Sequence, residues 1–279
     1  TGLRMISGKF EKLFGRRAQK PDGKPDKFYM DVAASIQVVF DEIMVRIARF
    51  VQQTTGMKNL VMAGGVALNC VSNAAIVRSG IFESVWIQPA SGDAGGSLGA
   101  ALFAYHNYLG GSRTADGVND SQQGSYLGPA FDDDEIKGLL DAEGIVYSVY
   151  DENELVRKTA AFISGQRVVG WFQGRMEFGP RSLGARSILG DPRNEEMQKN
   201  MNLKIKFRES FRPFAPSVLA EKCGEWFETN TFSPYMLLVA NVKKDRLYKY
   251  DSSQKGLGLL DMNRSEISAA THVASSARL

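Results

Sequence analysis

Cysteine is nearly absent. The 279 residues hold two, Cys70 and Cys223, far apart and outside any CxxC pair. That spacing excludes a zinc ribbon and a disulfide-stapled secreted scaffold, and makes a reducing, cytoplasmic setting the expectation. No run of about 18 apolar residues occurs and no charged-then-apolar leader opens the chain, so neither a membrane span nor a signal peptide is expected. An excess of one charge is also missing: the formal net charge is +3, too mild for a general polyanion binder. Any anion site must therefore come from a local concentration of cations. The opening Thr1-Gly2-Leu3 carries no initiator Met and reads as a piece of a longer chain.

What is present is an ordinary soluble composition, 43% hydrophobic and 23% charged, with enough apolar surface for sizeable cores. At this length two domains are the better expectation. Residues 15–27 combine prolines, glycines and basic residues as a loop. From Asp31, the residues Val32, Ile36, Val39, Phe40, Ile43, Ile47, Phe50 and Val51 recur at helical spacing, and Thr54-Thr55-Gly56 supplies a stop. A short strand at 59–63, the Gly64-Gly65 turn and a helix over 67–79 follow. Free backbone amides at such a turn can face an anion, although any strand-to-helix turn looks similar. A second unit repeats the pattern: strand 85–88, a glycine-rich loop 89–96 holding Asp93, and a helix 97–108. Asp93 reads equally as a ligand or as a helix cap.

Residues 110–125 are rich in Gly, Ser, Asp and Asn, which places a domain boundary there: a first domain over 1–112, a linker over 113–125 and a second domain over 126–279. The run Asp132 to Glu135 is acidic enough for a metal, but the first turn of a helix is where acids are favoured, and capping is the preferred reading. A strand over 145–150, a helix over 152–164 and a buried strand over 168–172 lead into the segment that carries the chemistry.

There Arg175, Arg181, Arg186, Arg193, Lys199, Lys204, Lys206, Arg208 and Arg212 are interleaved with glycine and proline. Guanidinium forks take phosphate or carboxylate oxygens two at a time, and lysine adds a compact, mobile charge. Glu177, Asp191, Glu195, Glu196 and Glu209 lie in the same stretch, which a simple nucleic-acid stripe would not need. Two readings remain open: a shaped anion pocket, or an ion-pair network that fixes loops.

Five words occur in one order: GGVALN (64–69), SGDAGGSLGAAL (91–102), YLGP (126–129), EFGPRSLGARSILGDPR (177–193) and KFRESFRPFAPS (206–217). Together they resemble the ATP-dependent O-carbamoyltransferases of the nodulation-protein and antibiotic-tailoring type. The resemblance implies an α/β fold: the second half of an actin-like, Kae1-type domain followed by a YrdC/Sua5-like domain. It implies that the YrdC-like domain makes carbamoyl adenylate from carbamoyl phosphate and ATP with Mg²⁺. The actin-like domain would then pass the carbamoyl group to a hydroxyl of a small-molecule or sugar acceptor.

By the same resemblance Lys206, Arg181 and Arg212 are the catalytic candidates. Arg175, Ser182, Arg186, Arg208, Ser217 and Arg278 are binding candidates, while Gly64, Gly65 and Asn69 form a nucleotide-contacting turn. Asp93 matches an aspartate ligand of iron or another divalent metal, whose histidine partners, an HxxxH helix, are not in this chain; neither His106 nor His272 replaces them. Near the end the family pattern HVDGTAR is replaced by HVASSAR over 272–278. A YrdC-like face could instead hold RNA, the alternative reading, ranked below carbamoyl transfer because of the interleaved acids. A homodimer is left open.

Overall fold

The computed structural model describes residues 7–19, 25–117, 120–249 and 256–279. Fourteen regular elements follow in order: α1 (Gly8–Phe14), α2 (Lys27–Thr55), β1 (Asn59–Met62), α3 (Cys70–Arg78), β2 (Ser84–Ile87), α4 (Ala94–Phe103), α5 (Asp133–Ala142), α6 (Glu152–Ser164), β3 (Val169–Phe172), β4 (Arg186–Leu189), α7 (Met197–Asn200), α8 (Cys223–Trp226), β5 (Val239–Asn241) and β6 (Ser276–Arg278). The class is mixed α/β, with three two-stranded sheets among the described residues.

The long helix starts earlier than its apolar pattern announces. Asp26 caps α2 by accepting from the amides of Phe28 and Tyr29, so the helix opens at Lys27, and Gly56 closes it at φ 65°. Ala48 packs with Ile76 of α3 and with Phe82. Ile36, Val39, Ile43, Ile47 and Phe50 on the same helix stay exposed, so only part of the apolar stripe finds cover among the described residues. Strands β1 and β2 pair in parallel, Asn59 opposite Ser84 through Met62 opposite Ile87, with α3 as the crossover.

Asp132 caps α5 in a reciprocal capping box with Glu135, so the acidic run serves a helix start. The expected strand at 145–150 does not form: these residues belong to no ladder, and Val146 and Val149 are exposed. Alternating Val and Tyr favour an extended chain, but a strand needs a partner edge, and none is offered here. Nor is β3 buried. It pairs antiparallel with β4 along one edge and leaves Phe172 exposed. The expected loop over 89–96 is shorter than its glycines suggest, because α4 begins at Ala94 and continues as a wider π turn to Tyr108.

The early and late parts of the chain share a core. Ala67 and Ile87 pack with Tyr235 and Leu237, with Leu183 against them. The Asn73 side-chain amide, fully buried, donates to the carbonyls of Ala67 (2.8 Å) and Leu237 (3.0 Å), tying α3 to the strand region around β5. Residues 120–125 join this seam: the Tyr235 hydroxyl donates to Asp120, and Gln122 and Ser125 are buried. Gly179, at φ +132°, brings the basic segment against the loop before α4, where an added Cβ would meet the Ala90 methyl at 3.3 Å.

Candidate active site

The basic segment, the 213–218 turn, the 229–236 segment and β6 line a half-open cavity of about 800 Å³. Its wall carries Arg181, Lys206, Arg208 and Arg278, the hydroxyls of Ser182 and Ser217, and no Asp or Glu side chain.

Each cation is set by local structure. Glu177 shapes the loop bearing Arg181: its Oε1 accepts from the amides of Leu183 (2.7 Å), Ala185 (2.8 Å) and Arg186 (3.3 Å). Burial pushes this carboxyl up, but the amides outweigh burial and hold it below the usual carboxylate range. Arg181 donates one bond, 3.2 Å, to the carbonyl of Leu68 at the end of the GGVALN turn, and its buried Nε has no acceptor. Lys206 follows the π turn over 201–205, and Phe207, at φ 48°, reverses the chain between Lys206 and Arg208. A left-handed phenylalanine is a strained choice, of the kind found at ligand clamps. Arg208 donates to Asn202 Oδ1 at 2.7 Å and lies 5.0 Å from the centre of the Phe214 ring. Asn202 is itself locked, donating to the carbonyls of Ser210 and Arg212.

Arg278 enters from β6. Its turn survives the changed wording: Ser275 adopts φ 57° where the resemblance has glycine, and the amides of His272 and Ser275 still close the loop, onto Ser276 O and His272 O. Burial, followed by the guanidinium of Arg181 and more weakly that of Arg208, pushes Arg278 below the ordinary arginine range. Its Nε, like that of Arg181, is buried without an acceptor. Partly buried guanidinium groups crowded together without counter-charges are unfavourable, and an anionic ligand would remove the penalty.

The remaining predicted residues lie elsewhere or are already engaged. Arg175 donates to the carbonyls of Tyr126 and Leu127. Arg186 donates to those of Gln173, Gly174 and Ala185 and stacks on Phe172. Arg212 bonds Glu209 at 3.1 Å and is absent from the cavity wall. Gly64 and Gly65 open the turn that Arg181 touches, with free space where a Cβ would stand; Asn69 caps α3 through Val71 and Ser72. The Ser182 hydroxyl donates to Arg186 O (2.5 Å), whereas Ser217 has no partner among the described residues.

Asp93 precedes α4 without capping it, and among the described residues no group of three His, Cys, Asp or Glu side chains converges on a metal position. His106 meets Gly111 O and His272 meets Ser276 Oγ, each at 3.1 Å. One carboxylate alone does not make a metal centre. Sequence reasoning missed Asn202, an unremarkable polar residue before KIKFR, and the uncharged 229–233 wall.

Residues 160–279 match the family described as "Carbamoyltransferase C-terminus", and residues 1–102 that described as "Carbamoyltransferase N-terminus". The chain belongs to the carbamoyltransferase family. It is 50% identical over 284 residues to the uncharacterized protein sll1178 of Synechocystis, covering 100% of this chain and 46% of that one. It is 37% identical over 254 residues to the nodulation protein NolNO of Sinorhizobium fredii (90% and 34%), and 38% identical over 220 residues to NolO of Bradyrhizobium diazoefficiens (77% and 39%). The chain thus spans between about a third and a half of the length of these relatives. No helix among its described residues is long and apolar enough to cross a membrane.

Proposed function

We propose that the cavity forms carbamoyl adenylate from carbamoyl phosphate and ATP. What carries the reading is four cations around one cavity with no acidic side chain, two of them with buried Nε atoms lacking acceptors. Release of phosphate from carbamoyl phosphate by water leaves carbamate. A carbamate oxygen then attacks the α-phosphorus of ATP, and the bond to the bridging oxygen breaks, its electron pair leaving with pyrophosphate. The reactants are all anions, so fixed cations are the main catalytic need. Arg181 and Lys206 face the transferring groups, Arg208 and Arg278 hold phosphate oxygens, and Ser217 donates a hydrogen bond. Mg²⁺ arrives with ATP. Arg212 keeps a role only by exchanging Glu209 for a ligand.

In this proposal residues 126–279 are the YrdC-like domain and residues 1–112 are the second half of an actin-like domain, a division supported by two separate family matches. Transfer to an acceptor hydroxyl, and any iron beside Asp93, belongs to the longer protein. RNA binding is not favoured, because the free cations converge on a cavity instead of forming a stripe. With Mg²⁺, the folded chain should release pyrophosphate from ATP only when carbamoyl phosphate is added. Release that ignores carbamoyl phosphate, or none at all, would sink the proposal.

A further inference from the structure

The cavity is larger than its anion-binding part requires. About 800 Å³ lies in the range of sites for drug-sized ligands, roughly 300–1,000 Å³, and carbamoyl phosphate fills a small share of it. The wall is also uneven. Its cations come from the basic segment and β6, whereas Thr229, Asn230, Thr231, Phe232, Ser233 and Met236 contribute no charge.

This uncharged wall is held beside the cations. Glu228 donates its amide to Asn241 O (2.8 Å) at the start of the segment, and Ser233 Oγ donates to Leu279 O (2.8 Å) at its end. Asn241 belongs to β5 and Leu279 follows β6, so the segment is pinned at both ends to the strand pair that carries Arg278. Between the pins, Thr229 Oγ1 accepts from the amide of Thr231 (3.1 Å). Asn230 makes no side-chain hydrogen bond among the described residues, and Phe232 is 76% exposed at a cavity wall. An unsupported aromatic face beside a free carboxamide is what a planar, hydrogen-bonding ring would need.

Resting on the nucleotide reading above, we propose that residues 229–233 form the nucleoside subsite, with Phe232 as the stacking platform for the purine and Asn230 as the reader of its polar edge. The triphosphate then extends toward Arg278, Arg181 and Lys206. Stacking favours any base, because every base has a π-face, while a carboxamide on the N7 edge can donate to N7 and accept from the amino group of adenine but meets two acceptors, N7 and O6, on guanine.

The test is calorimetric titration of the whole chain with Mg-ATP, Mg-GTP and inorganic phosphate. Both side chains are exposed, so Phe232→Ala and Asn230→Ala should fold as the parent does. Phe232→Ala is expected to weaken ATP by about tenfold or more with phosphate affinity unchanged. Asn230→Ala should narrow the preference for ATP over GTP. Arg278→Ala should weaken phosphate and ATP together. Unchanged ATP affinity in Phe232→Ala, an equal loss of phosphate affinity in that variant, or a parent chain that binds no ATP would each overturn the inference. Failure of the adenylation reading shows differently: no pyrophosphate release that depends on carbamoyl phosphate, while Phe232→Ala still weakens ATP.

Discussion

Arg193 and Arg181 belong to the same glycine-rich stretch, yet their surroundings are opposite. Arg193 grips Asp191 through Nε (2.9 Å) and Nη2 (2.7 Å), while Arg181 reaches one carbonyl and keeps a buried Nε without an acceptor. The contrast extends along the segment. Lys199 lies 3.8 Å from Glu196 and Arg212 bonds Glu209, whereas Lys206, Arg208 and Arg278 form no ion pair among the described residues. The ion-pair reading therefore holds for some of these residues, while others are left without a counter-charge at the cavity, as an anion pocket would require. The acids absorb some cations into loop structure and leave the cavity wall with the rest. What marks a binding cation is the missing counter-charge.

The largest effect expected of this contrast is on catalysis. Lys206→Ala, Arg181→Ala and Arg278→Ala should each lower carbamoyl-phosphate-dependent pyrophosphate release by at least about 10²-fold, the usual cost of removing a fixed electrostatic partner of a developing charge. Arg193→Ala, in the neutralised set, should leave turnover near the parent value. Equal losses in both sets would erase the distinction.

His272 tests the cost of crowding positive charge around a buried imidazole. Burial, followed by the positive charges of Arg278 and Arg264, pushes its imidazole down to about 4. Its folded pKa is depressed below an unfolded value near 6.5, so the unfolded chain binds the proton first as pH falls. Stability present above pH 6.5 should then be lost progressively towards pH 4, by up to about 3 kcal/mol. The carboxylates held low, Asp26, Glu177, Asp191, Glu209 and Glu225, stabilise the fold above the ordinary carboxylate range and lose that contribution mainly below about pH 5, so the decline above it belongs to the histidine. Urea midpoints between about pH 6.5 and 5 should decline in the parent and flatten in His272→Gln. A parent midpoint with no slope there would contradict the buried, neutral imidazole.

A somewhat smaller effect should come from filling the cavity. Inorganic phosphate that relieves Arg181 and Arg278 binds only the folded chain, and at a hundred times its Kd adds about 2.7 kcal/mol. For a chain of this size that is a rise in Tm of roughly 5–10 °C by differential scanning calorimetry. Chloride at matched ionic strength should not reproduce the rise, and Arg278→Ala should abolish it. A shift retained in Arg278→Ala would move the anion to another site.

How much of this was legible follows from how local each signal is. The body of α2, the two strand–turn–helix units and the capping role of Asp132 depend on neighbours in the sequence, and periodicity or capping chemistry suffices for them. The failed strand at 145–150 depends on a distant partner edge, which no window of sequence contains. In the site, the arginine words pointed to the segment that supplies three of the four cations on the cavity wall, the fourth being Arg278 of β6. They could not sort free from paired side chains, because sorting requires knowing that Glu177 turns to three amides and Glu209 to Arg212. Asn202 and the 229–233 wall were silent for a similar reason: a carboxamide, a few hydroxyls and one phenylalanine acquire meaning only from what they face.

Arg212 gives the smallest expected effect and the sharpest boundary between the two sets. Resemblance to the family gives it a phosphate-clamping role, but its Nε lies 3.1 Å from Glu209 Oε2 on an exposed turn outside the cavity wall. An exposed pair of this kind is weak and screened by salt, so a ligand could capture the guanidinium only if the 206–213 turn swung it inward. If the observed geometry governs, Arg212→Ala should change pyrophosphate release by less than about threefold. Glu209→Gln, which frees the guanidinium, should then leave the KM for carbamoyl phosphate unmoved. A loss in Arg212→Ala as large as that in Arg181→Ala, together with a lowered KM in Glu209→Gln, would instead mean that Glu209 holds Arg212 in reserve and yields it when substrate arrives.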